Sequence, residues 1–219
     1  YWIYISKIRK YIMSTLQVNT INENSSGSGV TIDGALIKDG KVANGAAGLT
    51  LITSGSVTGV TGITLDSVFT STFPNYLFQF NGEGTTNNIE QLRLRFRASS
   101  STNTDSDHNF AAAGIIKESG ASSSQSFETD INASYIQLIG NWIDDEYFGC
   151  EISIRGPQIS GQAISFNYNV TTLYNQGTHT VASNTGGGIK EDTASFDGLY
   201  FYADDDQTIT GNYRLYGLN

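Results

Sequence analysis

The chain has 219 residues, 15% of them charged and 38% hydrophobic, enough to bury a core without disulfide or metal staples. Its one cysteine, Cys150, excludes an intrachain disulfide framework, and two histidines, His108 and His179, are too few for a histidine-dependent metal centre, so no cofactor or metal is expected. Twenty-one acids against twelve Lys and Arg give a net charge of −9, which repels nucleic acid, and no stretch reaches the ~20 consecutive apolar residues that cross a bilayer, so neither nucleic-acid binding nor membrane insertion is expected.

Residues 1–12 carry three cations and no acid, with the cations after the apolar residues and no small-residue cleavage site, the wrong order for a secretory signal. Two readings stand for them. Met13, the only Met, is the natural start and an upstream extension precedes it; or Ile5, Ile8 and Ile12, at helical spacing, belong to a docking segment. Residues 1–13 are therefore set apart as an N-terminal extension. From 14 to 59 the chain reads as short apolar couplets broken by glycine: Leu16, Val18 and Ile21, then Val30 and Ile32, then Leu36 and Ile37. These are too short for helices and too sparse to fill a core, so the segment needs partners. Three copies wound about one axis would close a thin shared core that no single chain could build.

From residue 60 onward, period-two alternation dominates. Ile89–Ala98 puts Leu92, Leu94 and Phe96 on one face and Arg93, Arg95 and Arg97 on the other; Ala163–Val170 sets Ile164, Phe166, Tyr168 and Val170 against Ser165, Asn167 and Asn169. Further strands are predicted at Ile63–Phe69, Tyr76–Phe80, Tyr135–Ile139, Cys150–Arg155, Thr178–Ser183, Leu199–Ala203 and Gln207–Leu218. About nine short strands with Gly, Asn, Asp and Ser between them predict an all-β head over 60–219, an antiparallel β-sandwich or jelly roll. The polar stretches Ser99–Asn109, Ser119–Ser126 and Asn184–Thr193 are expected to be surface loops, the first and last making external contacts.

Catalytic constellations are sparse. Gly186-Gly187-Gly188 lacks the following Gly-Lys-Ser/Thr of a phosphate cradle and reads as a mobile loop. The acids Asp144-Asp145-Glu146 and Asp204-Asp205-Asp206 are consecutive, so they point to different sides instead of facing each other across a sugar, and read as solvated turns. His108 falls in a polar loop after Asp105 and Asp107, His179 in a Thr-rich strand, and no nucleophile elbow is present. Cys150 shares a strand face with Ile152 and Ile154 and reads as core. The dense basic feature is Arg93, Arg95 and Arg97, suited to acids of a neighbouring sheet or subunit, or to a sulfated or phosphorylated glycan. Trp142, on a loop, would suit sugar stacking.

Two stretches carry a resemblance. Leu16-Gln-Val-Asn-Thr-Ile-Asn-Glu-Asn-Ser-Ser-Gly-Ser-Gly-Val-Thr-Ile-Asp-Gly-Ala-Leu-Ile-Lys-Asp-Gly-Lys-Val42 resembles a segment near the start of tail-fibre-like and other structural proteins of marine and cyanobacterial bacteriophages. Ile209-Thr-Gly-Asn-Tyr-Arg-Leu-Tyr-Gly-Leu218 resembles the final strand of the β-rich knob in the same proteins. The resemblance implies a non-enzymatic homotrimer on the virion surface. Residues 14–59, with Leu16, Val18, Ile21, Val30, Ile32, Leu36 and Ile37, would anchor it to other virion proteins, a tail hub or the capsid. The head would face a host-surface glycan. The near absence of a shaft suits a short fibre or appendage; a capsid-decorating protein or a polysaccharide-cutting spike are the alternatives.

Overall fold

Among the described residues of the computed structural model every element is a β-strand, and its antiparallel sheets follow from the period-two alternation of apolar and polar side chains. The structure describes residues 30–32, 35–38, 41–42, 48–84, 89–118, 123–143, 147–175, 179–204 and 207–218. The chain divides into two compact units, Tyr1–Ala46 and Ala47–Asn219.

In the first unit β1 (Val30–Ile32), β2 (Ala35–Lys38) and β3 (Lys41–Val42) form a small antiparallel sheet in which Val30 pairs with Ile37, Thr31 with Leu36 and Ile37 with Val42. Of the expected anchoring residues, Val30, Ile32, Leu36 and Ile37 therefore lie on adjoining strands of one hairpin, while Leu16, Val18 and Ile21 lie outside the described residues.

The second unit begins with β4 (Leu49–Val60), β5 (Gly62–Leu65), β6 (Asn75–Gly84), β7 (Ile89–Ala98) and the two-residue β8 (Ser101–Thr102). It continues with β9 (His108–Glu118), β10 (Ser124–Ala133), β11 (Ile136–Ile143) and β12 (Tyr147–Arg155). It closes with β13 (Ile164–Asn175), β14 (His179–Lys190), β15 (Gly198–Ala203) and β16 (Ile209–Leu218). Eight strands form one sheet in the order β10–β9–β14–β13–β12–β6–β16–β4, and β11–β7–β15–β5 form a second, with β8 added beside β7. The unit thus takes in β4, which pairs with β16, in addition to residues 60–219.

The inward faces of the two sheets share one core. Phe78 and Phe80 of the large sheet meet Phe201 of the small one at ring-centroid distances of 5.1 and 5.3 Å. Removing each such ring from water contributes about 1.5–3 kcal/mol. Buried hydrogen bonds fix how the sheets sit: Tyr168 Oη on β13 donates to the Gln137 carbonyl and Asn184 Nδ2 on β14 to the Leu138 carbonyl, both on β11, at 2.8 and 2.9 Å. Two unpaired carbonyls are thereby satisfied inside the sandwich.

Three expectations are corrected. Asn184–Thr193 is not a loop as far as Lys190: its first seven residues continue β14 between β9 and β13. The glycines make this fit, because a Cβ on Gly186 would stand 2.5 Å from the Tyr168 ring and one on Gly188 2.0 Å from the Asn109 carbonyl. Ser99–Asn109 contains β8 and ends inside β9, so His108 is not a loop residue but a fully buried strand residue. Ser124–Ser126 likewise opens β10, an edge strand. On β9 the buried Phe110 and Ile116 are separated by Ala112 and Gly114, with Ala111 and Ala113 facing out, so the hydrophobic alternation is faint in the sequence.

Candidate functional site

The outer face of the small sheet gathers the arginines. Leu92, Leu94 and Phe96 are fully buried, so the alternation of β7 drives Arg93, Arg95 and Arg97 outward as expected. Beside them β15 presents Tyr202 opposite Arg93, Tyr200 opposite Arg95 and Gly198 opposite Arg97; on β5, Gly62 and Thr64 continue the first two rows. Tyr200 and Tyr202 stack at 4.5 Å with planes 9° apart. Tyr135, just before β11, closes the other side.

The three guanidinium groups differ in how they are matched. Arg97 holds Asp66 by two contacts, Nε to Oδ1 at 2.6 Å and Nη2 to Oδ2 at 3.2 Å, and also donates to Thr102 Oγ1 and the Ser100 carbonyl. Arg93 Nη2 lies 2.9 Å from Asp204 Oδ2, its Nε donates to Gln91 Oε1, and its guanidinium covers the Tyr135 ring at 4.1 Å. Arg95 meets no carboxylate among the described residues. Its Nε donates to the Ser134 carbonyl at 2.9 Å, and the Tyr202 and Tyr135 rings stand 5.3 and 5.9 Å from it. Burial pushes the Tyr202 hydroxyl above its ordinary value, against the pull of Arg95 and Arg93, so it stays protonated. Arg95 thus keeps a guanidinium charge that no carboxylate among the described residues neutralises, which suits it to an anionic group such as a carboxylate, sulfate or phosphate; the tyrosine rings beside it are taken up by one another and by the arginines.

The carboxylates that match Arg93 and Arg97 come from within the same chain, distant in sequence. Asp204 corrects the reading of Asp204-Asp205-Asp206 as a solvated turn: it is buried, pairs with Arg93, and its Oδ1 accepts the Gln91 N–H at 2.8 Å. Asp205, Asp206, Asp144, Asp145 and Glu146 lie outside the described residues. Trp142 falls within β11, not on a loop, and its side chain lies outside what the structure describes. Of the tyrosines on this face, Tyr200 and Tyr202 carried a sequence signal in their i, i+2 spacing; Tyr135 carried none.

A second polar group sits between the sheets. Lys190, the last residue of β14, and His108, the first of β9, are cross-strand partners and both fully buried. Lys190 Nζ contacts Asp107 Oδ2 and lies 3.5 Å from Asp192 Oδ2 and 4.7 Å from the Phe196 ring. His108 stacks flat on Phe96 at 6.2 Å, and its Nδ1 is 3.0 Å from the Ala133 carbonyl and 3.2 Å from Asp107 Oδ1. Burial above all, together with the Lys190 charge, lowers the His108 pKa and keeps the ring neutral. Cys150 is also buried, and burial pushes its thiol far up, away from the nucleophilic thiolate. Among the described residues no three His, Cys, Asp or Glu side chains converge as metal ligands, and no helix is long and apolar enough to cross a membrane. Compared with protein-family models, curated proteins and solved structures, the chain has no match in any of the three.

Proposed function

We propose that the chain is a non-enzymatic structural component of a phage virion, a short trimeric tail fibre or fibre-like appendage whose N-terminal segment docks it and whose β-sandwich head meets the host surface. The resemblance of residues 16–42 and 209–218 supplies the virion context. The head is then of the jelly-roll kind, its chain passing back and forth between the sheets along β4, β5, β6 and β7 and again along β14, β15 and β16.

The observation that carries self-association is the outer face of the large sheet. One row across all eight strands reads Gln125, Ile115, Ser183, Thr171, Gly149, Asn81, Asn212, Ser56; the next reads Phe127, Ala113, Thr185, Asn169, Glu151, Gln79, Arg214, Ser54. Glu151 and Arg214 are the charged residues in these rows, one of each sign, in a chain of net charge −9. Across this face runs an apolar diagonal of Phe127 (73% exposed), Ile115, Val181, Leu173 and Tyr147. A broad face of mostly uncharged polar residues with large apolar side chains in water, its further charges Lys117, Glu83 and Arg155 lying in the flanking rows, suits packing against another copy of the chain, where like net charge would otherwise repel. Trimerisation would multiply a weak Arg95 subsite by avidity.

Light scattering on the full chain, beside a truncated chain beginning at residue 47, tests the reading. A trimer in the full chain is expected; a monodisperse monomer in both overturns it. Antibody labelling of particles then distinguishes tail from capsid.

A further inference from the structure

We propose that Lys190 and Asp107 become joined by an amide bond, an internal covalent cross-link between the end of β14 and the start of β9. Four observations converge on it. Lys190 is fully buried, which is rare for a lysine, and its Nζ is already in contact with the Asp107 carboxyl group. As an ion pair the site is badly served, because Asp107 Oδ1 is buried without a hydrogen bond: His108 Nδ1 stands 3.2 Å away but donates to Ala133. Phe196 over Nζ and Phe96 beside His108, themselves 5.8 Å apart, keep water from the fully buried Lys190 end of the pair, while the Asp107 side chain stays 18% exposed. Glu191 N–H donates to the Asp107 carbonyl at 2.9 Å, so the two backbones are tied in register beside the pair.

The step balances without any oxidant or co-reactant. With its amine fully buried, Lys190 passes a proton from the ammonium to Asp107 Oδ2, which leaves a neutral amine and a neutral acid. The amine lone pair attacks Cγ and forms the Nζ–Cγ bond; negative charge gathers on Oδ1, within reach of the His108 Nδ1 proton. The Cγ–Oδ2 bond then breaks, and Oδ2 leaves as water with a second proton from Nζ, relayed by the Asp192 carboxylate 3.5 Å away. The product turns an orphaned carboxylate oxygen into an uncharged carbonyl and needs one acceptor for the remaining N–H, which Asp192 supplies. The linked residues are 83 apart in sequence, so the bond would close a long stretch of the head against unfolding.

Intact mass spectrometry of the denatured full chain tests it. The expected mass is that of the sequence less one water, with a branched proteolytic peptide joining the Lys190 and Asp107 segments. Lys190→Arg should restore the full mass even if it folds poorly, and Asp107→Asn should lose one ammonia instead of one water. A wild-type chain at full sequence mass overturns the proposal. So does a water loss that survives in Lys190→Arg, which would mark cyclisation at an aspartate elsewhere.

Discussion

Arg95 and Arg97 stand two residues apart on one face of β7, yet Asp66 neutralises Arg97 while Arg95 leans on a carbonyl and two tyrosine rings. Arg95→Ala should therefore change stability by less than about 1 kcal/mol, and weaken retention on a sulfated or carboxylated saccharide column by about tenfold, roughly the 1.4 kcal/mol of one charge-assisted contact. Arg97→Ala should do the reverse, losing about 1–2 kcal/mol in urea unfolding because Asp66, Thr102 Oγ1 and the Ser100 carbonyl lose their donor. His108 sets a pH dependence. Its folded pKa lies below the 6.5 of the free side chain, so below that pH the unfolded chain takes up a proton that the buried ring refuses. Stability should be flat above about pH 6.5 and fall on acidification below it, as melting temperatures between about pH 7.5 and 5 would show. His108→Gln should flatten that part of the profile.

At the level of elements, β14 shows why a glycine run is not always a loop. Gly188 lies where β9 and β14 pass so closely that a Cβ meets backbone, the Asn109 carbonyl at 2.0 Å, and the strands must part to admit it. Gly188→Ala should cost about 2–3 kcal/mol by urea unfolding. Gly149, on the open face of β12, is the contrast: a Cβ there meets the Asn81 side-chain oxygen at 3.0 Å, and Gly149→Ala should fall within about 1 kcal/mol of the parent. The strands readable beforehand were β6, β7, β11, β12, β13, β15 and β16, with β5 and the first part of β14. β9 and β10 were not, because Ala111, Ala112, Ala113 and Gly114 give little contrast between inside and outside. β4 was hidden for another reason: as an edge strand it buries few side chains and is held mainly by its ladder to β16.

For the whole molecule, the proposed trimer makes the large sheet's outer face the place to intervene. Phe127→Asp on β10 should leave the unfolding midpoint of the head within about 0.5 kcal/mol, since the ring is already in water, and shift light scattering towards the monomer. A wild-type assembly that this substitution does not disturb would move the contact elsewhere. Net charge, the all-β class and the outward turn of Arg93, Arg95 and Arg97 could be read from the amino acids in order, because charge is additive and strand alternation is a local property of the backbone. Which arginine is left unmatched, why Lys190 and His108 are buried, and where the glycine run belongs depend on Asp66, Asp204, Asp107 and Tyr168. Asp107 is next to His108 but 83 residues from Lys190, and Asp66, 31 residues from Arg97, is likewise remote, so only the pairing of distant strands brings these partners within contact.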